Sequence, residues 1–493
     1  MQRSINDTQA PLLRASSFAL AAAYLFFIVS SALFIAADLR VPTYASSAIL
    51  ICAASAYTAL SFMEGKINIG ATLAAQCALW YILPLSYAWA IAPLWFQDTI
   101  DTAIRVNFFV ALSTFVIFLA SEALGPTHKI HSTGLPDPMV AIVAGLLSTG
   151  LIVYLMATGE WGYRIGDFET ENRQSIALAL TTGTGLAIAP LCAYVIGAIK
   201  TRAGRATRQV LALACIALFH VYAWIPMQRR QLAIMLLLIL LAYLSARYRH
   251  KMSLTVLIRA AVGFIVLVPI IYAMWQVFFQ IRVMSYSLSA GETISVSKFF
   301  SDSSAYVGDT SADFQDNLLE RPFITKSVDT VYHTQLEYLY GEHLYTSFIG
   351  ALPSALFPWK NMILFYAGGV GEGLWTVKGM IPFDDYSNTI FLDSIVDFGY
   401  FGPFIYFAIF VLFLFGLCIL TTRLKDQTWS VFFFYMLCVF SVSIEASPTA
   451  LFVFGRNALI AMGVFYVVCK VFGQRLSRRA GSLPRRNVVR TGG

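Results

Sequence analysis

Charged side chains are scarce in this chain. They make up 12% of its 493 residues, against 58% that are hydrophobic, and mean hydropathy is +0.69. A soluble protein carries about a quarter charged residues, so the composition excludes an ordinary soluble enzyme and marks an integral membrane protein. The seven cysteines, Cys52, Cys77, Cys192, Cys215, Cys418, Cys438 and Cys469, all fall in apolar runs. That placement implies no disulfide framework. No Cys/His group has metal-ligand spacing, and neither a metal nor a cofactor is expected. The net charge of +7 raises nucleic acid as a partner. The basic residues nevertheless sit in short loops and the tail, as they do when they orient a membrane protein, so no nucleic-acid partner is expected.

Apolar runs of about 20 residues are long enough to cross a bilayer. They fall at 15–37, 45–63, 71–96, 103–124, 139–158, 176–199, 209–227, 232–246, 254–279, 390–421, 429–446 and 449–469. The expectation is therefore all-α: a polytopic protein of about 12 transmembrane helices with both termini on one side. The run Ala15 to Ala37 is longer than a signal-peptide core and has no small-residue cleavage site, so it reads as a retained span.

Four regions follow: 1–279 with spans one to nine, 280–389 as one large loop, 390–470 with the last three spans, and 471–493 as a basic tail. Placing the termini inside puts 21 of the 34 lysines and arginines there, but only 5 of the 27 acidic residues. That asymmetry sets the orientation, with the large loop outside and both termini cytoplasmic. The tail, with Arg478, Arg479, Arg485 and Arg486, reads as a disordered, lipid-attracted end. No internal repeat is evident, and the paired broken helices of major transporter classes are not seen.

The loop has three parts. Residues 283–320 are rich in serine and aspartate and read as solvated; these carboxylates lack EF-hand spacing for calcium. From Thr330 to Phe357, Leu336, Tyr340, Leu344 and Phe348 share one helical face, which predicts a helix lying on the membrane, carrying His333, Glu337 and His343 and ended by Pro353 and Pro358. From Gly368 to Asp385, four glycines read as a mobile lid and not as a phosphate loop.

Cations on the outer side run against the orienting rule. Arg229 and Arg230 occupy a tight turn between two spans, and Arg282, Arg321, Lys326 and Lys360 lie in the loop. Arginine suits bidentate phosphate contact. Arg456 lies inside the last span, where a charge marks a functional site; it reads equally as half of a structural ion pair with Glu445 or as a ligand contact. Outer aromatics include Tyr338, Tyr340, Trp359 and Trp375, which serve either an interfacial belt or glycan stacking. An enzyme at this face has no nucleotide sugars; its donor would be a glycan on a polyprenyl phosphate or pyrophosphate. Cations would stabilise the leaving phosphate and a carboxylate or histidine would take the acceptor proton.

Three segments resemble the O-antigen and exopolysaccharide polymerase family (Wzy-type), which shares a membrane fold with the O-antigen ligases. They are Arg229-Arg230 before a leucine-rich span, Ile349-Gly350-Ala351-Leu352-Pro353 with Phe357-Pro358-Trp359-Lys360, and Ser387-Asn388-Thr389-Ile390 with Asp397-Phe398-Gly399-Tyr400-Phe401-Gly402. Ligases carry a histidine before that asparagine; Ser387 stands here and favours a polymerase.

The resemblance implies a GT-C-like, metal-independent glycosyltransferase in the bacterial inner membrane. It would transfer a glycan from undecaprenyl pyrophosphate to the non-reducing end of a lipid-linked repeat unit at the periplasmic face, with a flippase and a chain-length regulator as partners. The pyrophosphate would meet Arg229, Arg230, Arg282, Arg321, Lys360 and Arg456. The base is among His333, Glu337, Asp384 and Asp385. A ligase-like enzyme, or a non-enzymatic polysaccharide or lipid exporter, are the alternatives.

Overall fold

A computed structural model describes residues 10–37, 39–91, 100–130, 135–158, 160–161, 176–199, 204–225, 229–248, 255–256, 258–270, 273, 338–353, 356–360, 362–363, 390–422, 427–442 and 448–481. Eight helices come first: α1 (Ala10–Ala37), α2 (Arg40–Met63), α3 (Ile69–Ile91), α4 (Ile100–Leu124), α5 (Pro138–Ala157), α6 (Ile176–Ala198), α7 (Gly204–Trp224) and α8 (Arg229–Tyr248). An apolar helix α9 (Ile258–Ile270) follows. Then come α10 (Glu342–Ala351), α11 (Ile390–Phe398), α12 (Gly402–Thr422), α13 (Gln427–Val442) and α14 (Pro448–Gly481).

Among the described residues, nine helices are long and apolar enough to cross a membrane, and Ile69–Ile82, Ile258–Ile270 and Gln427–Val442 are shorter apolar helices. The protein is thus an all-α, multi-pass membrane protein, with helices close to the expected runs. Large apolar side chains such as Phe18, Leu25, Leu218 and Phe415 face outward, as lipid contact requires.

Two cores share one wall. Tyr24, Phe27, Tyr57 and Phe118 pack α1, α2 and α4 together, and Tyr24 donates to the Ala74 carbonyl at 2.9 Å. Helix α3 turns Ala71, Ala74, Ala75 and Ala78 to that core, and Leu73, Cys77 and Tyr81 to the second. The two rows are set by three- and four-residue spacing. The second core is built around α6, buried at every position from Gly183 through Val195. Its Gly183 lies so near α14 that a β-carbon would sit 2.6 Å from the Asn457 backbone. In lipid, where apolar burial does not drive helices together, such small residues permit the close packing that does.

At one end, two connections pair as a ribbon, β1 (Lys66–Ile67) against β2 (His128–Lys129). Beside it, Glu122 accepts from Ser17 at 2.6 Å and Tyr57 at 2.7 Å. Asp137 accepts from the Met139 amide and so caps α5, while its own amide donates to Thr428. These polar ends tie α1, α2, α4, α5 and α13 together.

The expected single span at 390–421 is in fact two helices. Gly399 adopts φ 58° and a 3-10 turn, Gly399–Phe401, follows. The chain then reverses: a β-carbon on Gly402 would lie 1.8 Å from the Ser394 carbonyl oxygen, whereas eight residues of straight helix span about 12 Å. Ile390 accordingly shares an apolar pocket with Phe410, Phe413 and Leu414. Helix α11 is half a span folded back on α12. A glycine pair three apart looks like helix packing in one dimension; in space it makes a hairpin. The tail also differs from expectation, since α14 runs on through Arg475, Arg478 and Arg479 to Gly481. Residues 474–480 contain neither glycine nor proline to stop it.

Candidate functional site

The end opposite the ribbon holds α10, seated between α11 and α14. Its helix is shorter than expected. Tyr340 (φ 48°) and Gly341 (φ 92°) are left-handed, so the helix begins only at Glu342, and Tyr340 lies outside it. Of the predicted apolar face, Leu344 packs partly buried against the core. Phe348 is 49% exposed, and the face turned inward is largely polar: His343, Thr346 and Ser347, with Ile349 and Ala351. A polar face goes inward because its partner surface is polar too.

That partner surface is α11. Asp393 and Asp397, one helical turn apart, are both 0% exposed. Asp397 accepts from the amides of His343 at 3.1 Å and Leu344 at 2.8 Å, and from the Tyr406 hydroxyl on α12. A carboxylate is thereby set against the positive end of α10. Two backbone bonds, Leu339 to the Val396 carbonyl and Tyr340 to that of Asp397, fasten the approach. Asp393 stands 3.4 Å from Nε2 of His343. At that separation it is an ion-pair contact and not a well-formed hydrogen bond, and among the described residues neither Asp393 oxygen meets a hydrogen-bond donor. Burial opposes a charge on His343, but Asp393, with Asp397 behind it, pushes its pKa above the ordinary histidine value.

The other end of α10 is held by cations. The Lys360 ammonium donates to the carbonyls of Gly350 at 3.0 Å and Leu352 at 2.7 Å. Arg456, on α14, donates from Nη1 to the Ala351 carbonyl at 2.6 Å, and from Nε and Nη2 to Asn457. Positive charge at a helix C-terminus complements the dipole. Arg456 is eight residues, about 12 Å along the axis, from Pro448, so α10 ends well below the rim of the bundle. Burial, and Arg456 beside it, pull the Lys360 ammonium below the ordinary lysine value.

Arginine has five N–H donors and lysine three; the contacts described use three of the first and two of the second. Among the described residues, the remaining donors of both meet no acceptor and are open to an anion.

Of the residues singled out from sequence, Lys360 and Arg456 therefore meet at one place. Arg229 and Arg230 are the first residues of α8, at the same end of the bundle as α10. Tyr338, Tyr340 and Trp359 are 42%, 80% and 44% exposed, with Tyr338 and Tyr340 edge-to-face at 6.4 Å. They are ring faces available to a ligand or to lipid headgroups. His333, Glu337, Asp384, Asp385, Arg282, Arg321, Lys326, Trp375 and Glu445 lie outside the described residues, as do the serine- and aspartate-rich segment and the glycine-rich segment.

Sequence reasoning gave no role to His343, Asp393, Asp397 or Tyr406. The available signal was two aspartates four apart in an apolar run, which puts both carboxylates on one helix face. Compared with protein-family models, with curated proteins and with solved structures, the chain matches none.

Proposed function

We propose that this protein is a membrane glycosyltransferase that polymerises polysaccharide repeat units carried on undecaprenyl pyrophosphate. In this reading the ribbon end is cytoplasmic, as the positive charge there favours, and α10 faces the periplasm of a bacterial inner membrane. The nine long helices and three shorter ones would make twelve crossings, a GT-C-like arrangement. One observation carries the reading: two cations, Lys360 and Arg456, are held side by side below the rim with donors that no described residue takes up, at the end of the bundle where α8 starts with Arg229 and Arg230.

A pyrophosphate on a prenyl chain presents its charge at that depth. In the reaction, the bond between the donor sugar's anomeric carbon and the pyrophosphate oxygen breaks. The acceptor sugar's hydroxyl oxygen bonds to that carbon, and its proton passes to a base. The transition state resembles an oxocarbenium ion. The cations stabilise the departing pyrophosphate, which needs no protonation to leave when so held. Exposed Tyr338, Tyr340 and Trp359 supply ring faces for sugars. The lipid-linked oligosaccharide is the substrate; a flippase and a chain-length regulator are the expected partners.

A second reading, a polysaccharide or lipid exporter, draws on the half-span α11, because broken helices line transport sites in membranes. The test is the size distribution of lipid-linked and surface glycan in a deletion strain carrying wild type, Arg230→Ala or Arg456→Gln. Accumulation of single repeat units with either variant, relieved by wild type, is the expected result. Full-length polymer left on its carrier identifies a ligase. Polymer of normal length trapped inside the cell identifies an exporter, and unchanged glycan removes the enzyme reading.

A further inference from the structure

We propose that His343 and Asp393 hold one proton between α10 and α11, and that losing it unseats α10: a proton-operated latch on a helix sunk below the rim of the bundle. The argument rests on geometry and not on the glycosyl-transfer reading.

Much of the inward face of α10 near its start is polar, His343, Thr346 and Ser347, while Ile349 and Ala351 are buried toward its end. Of the two carboxylates opposite, Asp397 is fully engaged by two backbone amides and a phenol. Asp393 is not. It is 0% exposed, and its one charged neighbour among the described residues is His343, itself 6% exposed, at 3.4 Å. A buried carboxylate without a partner is strongly unfavourable, and breaking one member of a buried pair leaves the other uncompensated.

Among the described residues, the other groups facing the pair do not replace the proton. On α11, Asp397 is a like charge one turn away. On α12, Tyr406 points its hydroxyl at Asp397. Glu342, on α10 itself, is acidic. Arg456 of α14 and Lys360 grip carbonyls at the far end of α10, about 12 Å along its axis. Deprotonation therefore leaves Asp393 and Asp397 as two buried anions one turn apart. Release has somewhere to bend: left-handed Tyr340 and Gly341 precede α10 and Pro353 follows it.

The sign is fixed by the direction of the shift. The folded-state pKa of His343 lies above its ordinary value. The seating of α10 is thus complete below the ordinary histidine range of about 6.5 and is lost as pH rises through the elevated value.

Hydrogen exchange on the full chain in lipid nanodiscs, corrected for intrinsic rates, reads this directly. Between about pH 6 and about pH 8.5, exchange of the 342–351 amides should accelerate about tenfold or more in wild type. In His343→Gln and in Asp393→Asn it should not change with pH. Asp397→Asn should exchange faster at every pH yet keep the dependence. Unchanged protection of α6 in each variant verifies the bundle. A wild-type α10 indifferent to pH, or a dependence that survives in His343→Gln, overturns the latch.

Discussion

Gly402 has a backbone oxygen where its side chain would be, and Gly416, further along the same helix, has open space. One residue type on one helix thus serves two ends. Alanine at Gly402 must force α11 away from α12, and an overpacked contact against backbone has no rotamer to relieve it. We expect Gly402→Ala to cost about 3 kcal/mol or more. Gly416→Ala should be neutral or stabilising by up to about 1 kcal/mol through helix propensity. Thermal unfolding of both variants in the same detergent checks the contrast; equal melting temperatures would refute the hairpin. At Asp397 the charge matters as well as the shape. Asp397→Asn keeps the volume but weakens two amide contacts at the start of α10, and should cost about 1–2 kcal/mol, read in the same melts.

At the scale of elements, α10 and α11 are the two the sequence disguised. The long spans announce themselves because a lipid-facing helix must be apolar along its whole length. Nine of the expected runs fall on helices with nearby bounds, Pro138 after Asp137 among the sharper starts; the run 254–279 is described as helix over Ile258–Ile270, and 449–469 opens a helix that continues to Gly481. Helix α11 does not announce itself, because Ile390 to Phe398 and Gly402 onward read as one apolar run, broken only by Asp393, Ser394 and Asp397, and its reversal follows a left-handed Gly399. Helix α10 is legible in its apolar spacing, but its buried polar face is not, since its partners are two aspartates about 50 residues further along. Of the candidate site, Lys360 and Arg456 were legible as cations out of place. Their meeting at the Gly350, Ala351 and Leu352 carbonyls was not, because nothing local to either residue encodes it.

Over the whole molecule, the polar ends decide the orientation. Exposed Pro126 lies at the ribbon end and Tyr345, 52% exposed, at the other. In a background without native cysteines, Tyr345→Cys should react with a membrane-impermeant maleimide in spheroplasts, and Pro126→Cys only after the membrane is opened. The reverse pattern would turn the molecule over and remove the periplasmic reaction with it.

The ribbon also sets an order of events during synthesis. Lys66 and Lys129 can pair as soon as the first four helices have emerged. The ring of His128, however, is sheltered by Phe433 and Phe434 and meets the Ser430 carbonyl 302 residues later. At ribosomal rates of about 5–20 residues per second, that is a wait of about 15–60 s. For that interval the two-residue ribbon stands over a histidine that Phe433 and Phe434 have yet to cover, held by bonds within the first 130 residues: the Thr127 and Ile130 amides donate to the Ile67 and Gly65 carbonyls, and the Asn68 side-chain amide donates to the Ser121 carbonyl and to Glu122. Those bonds act first as a clamp on an unfinished protein, and only afterwards as one seam among several in the complete one.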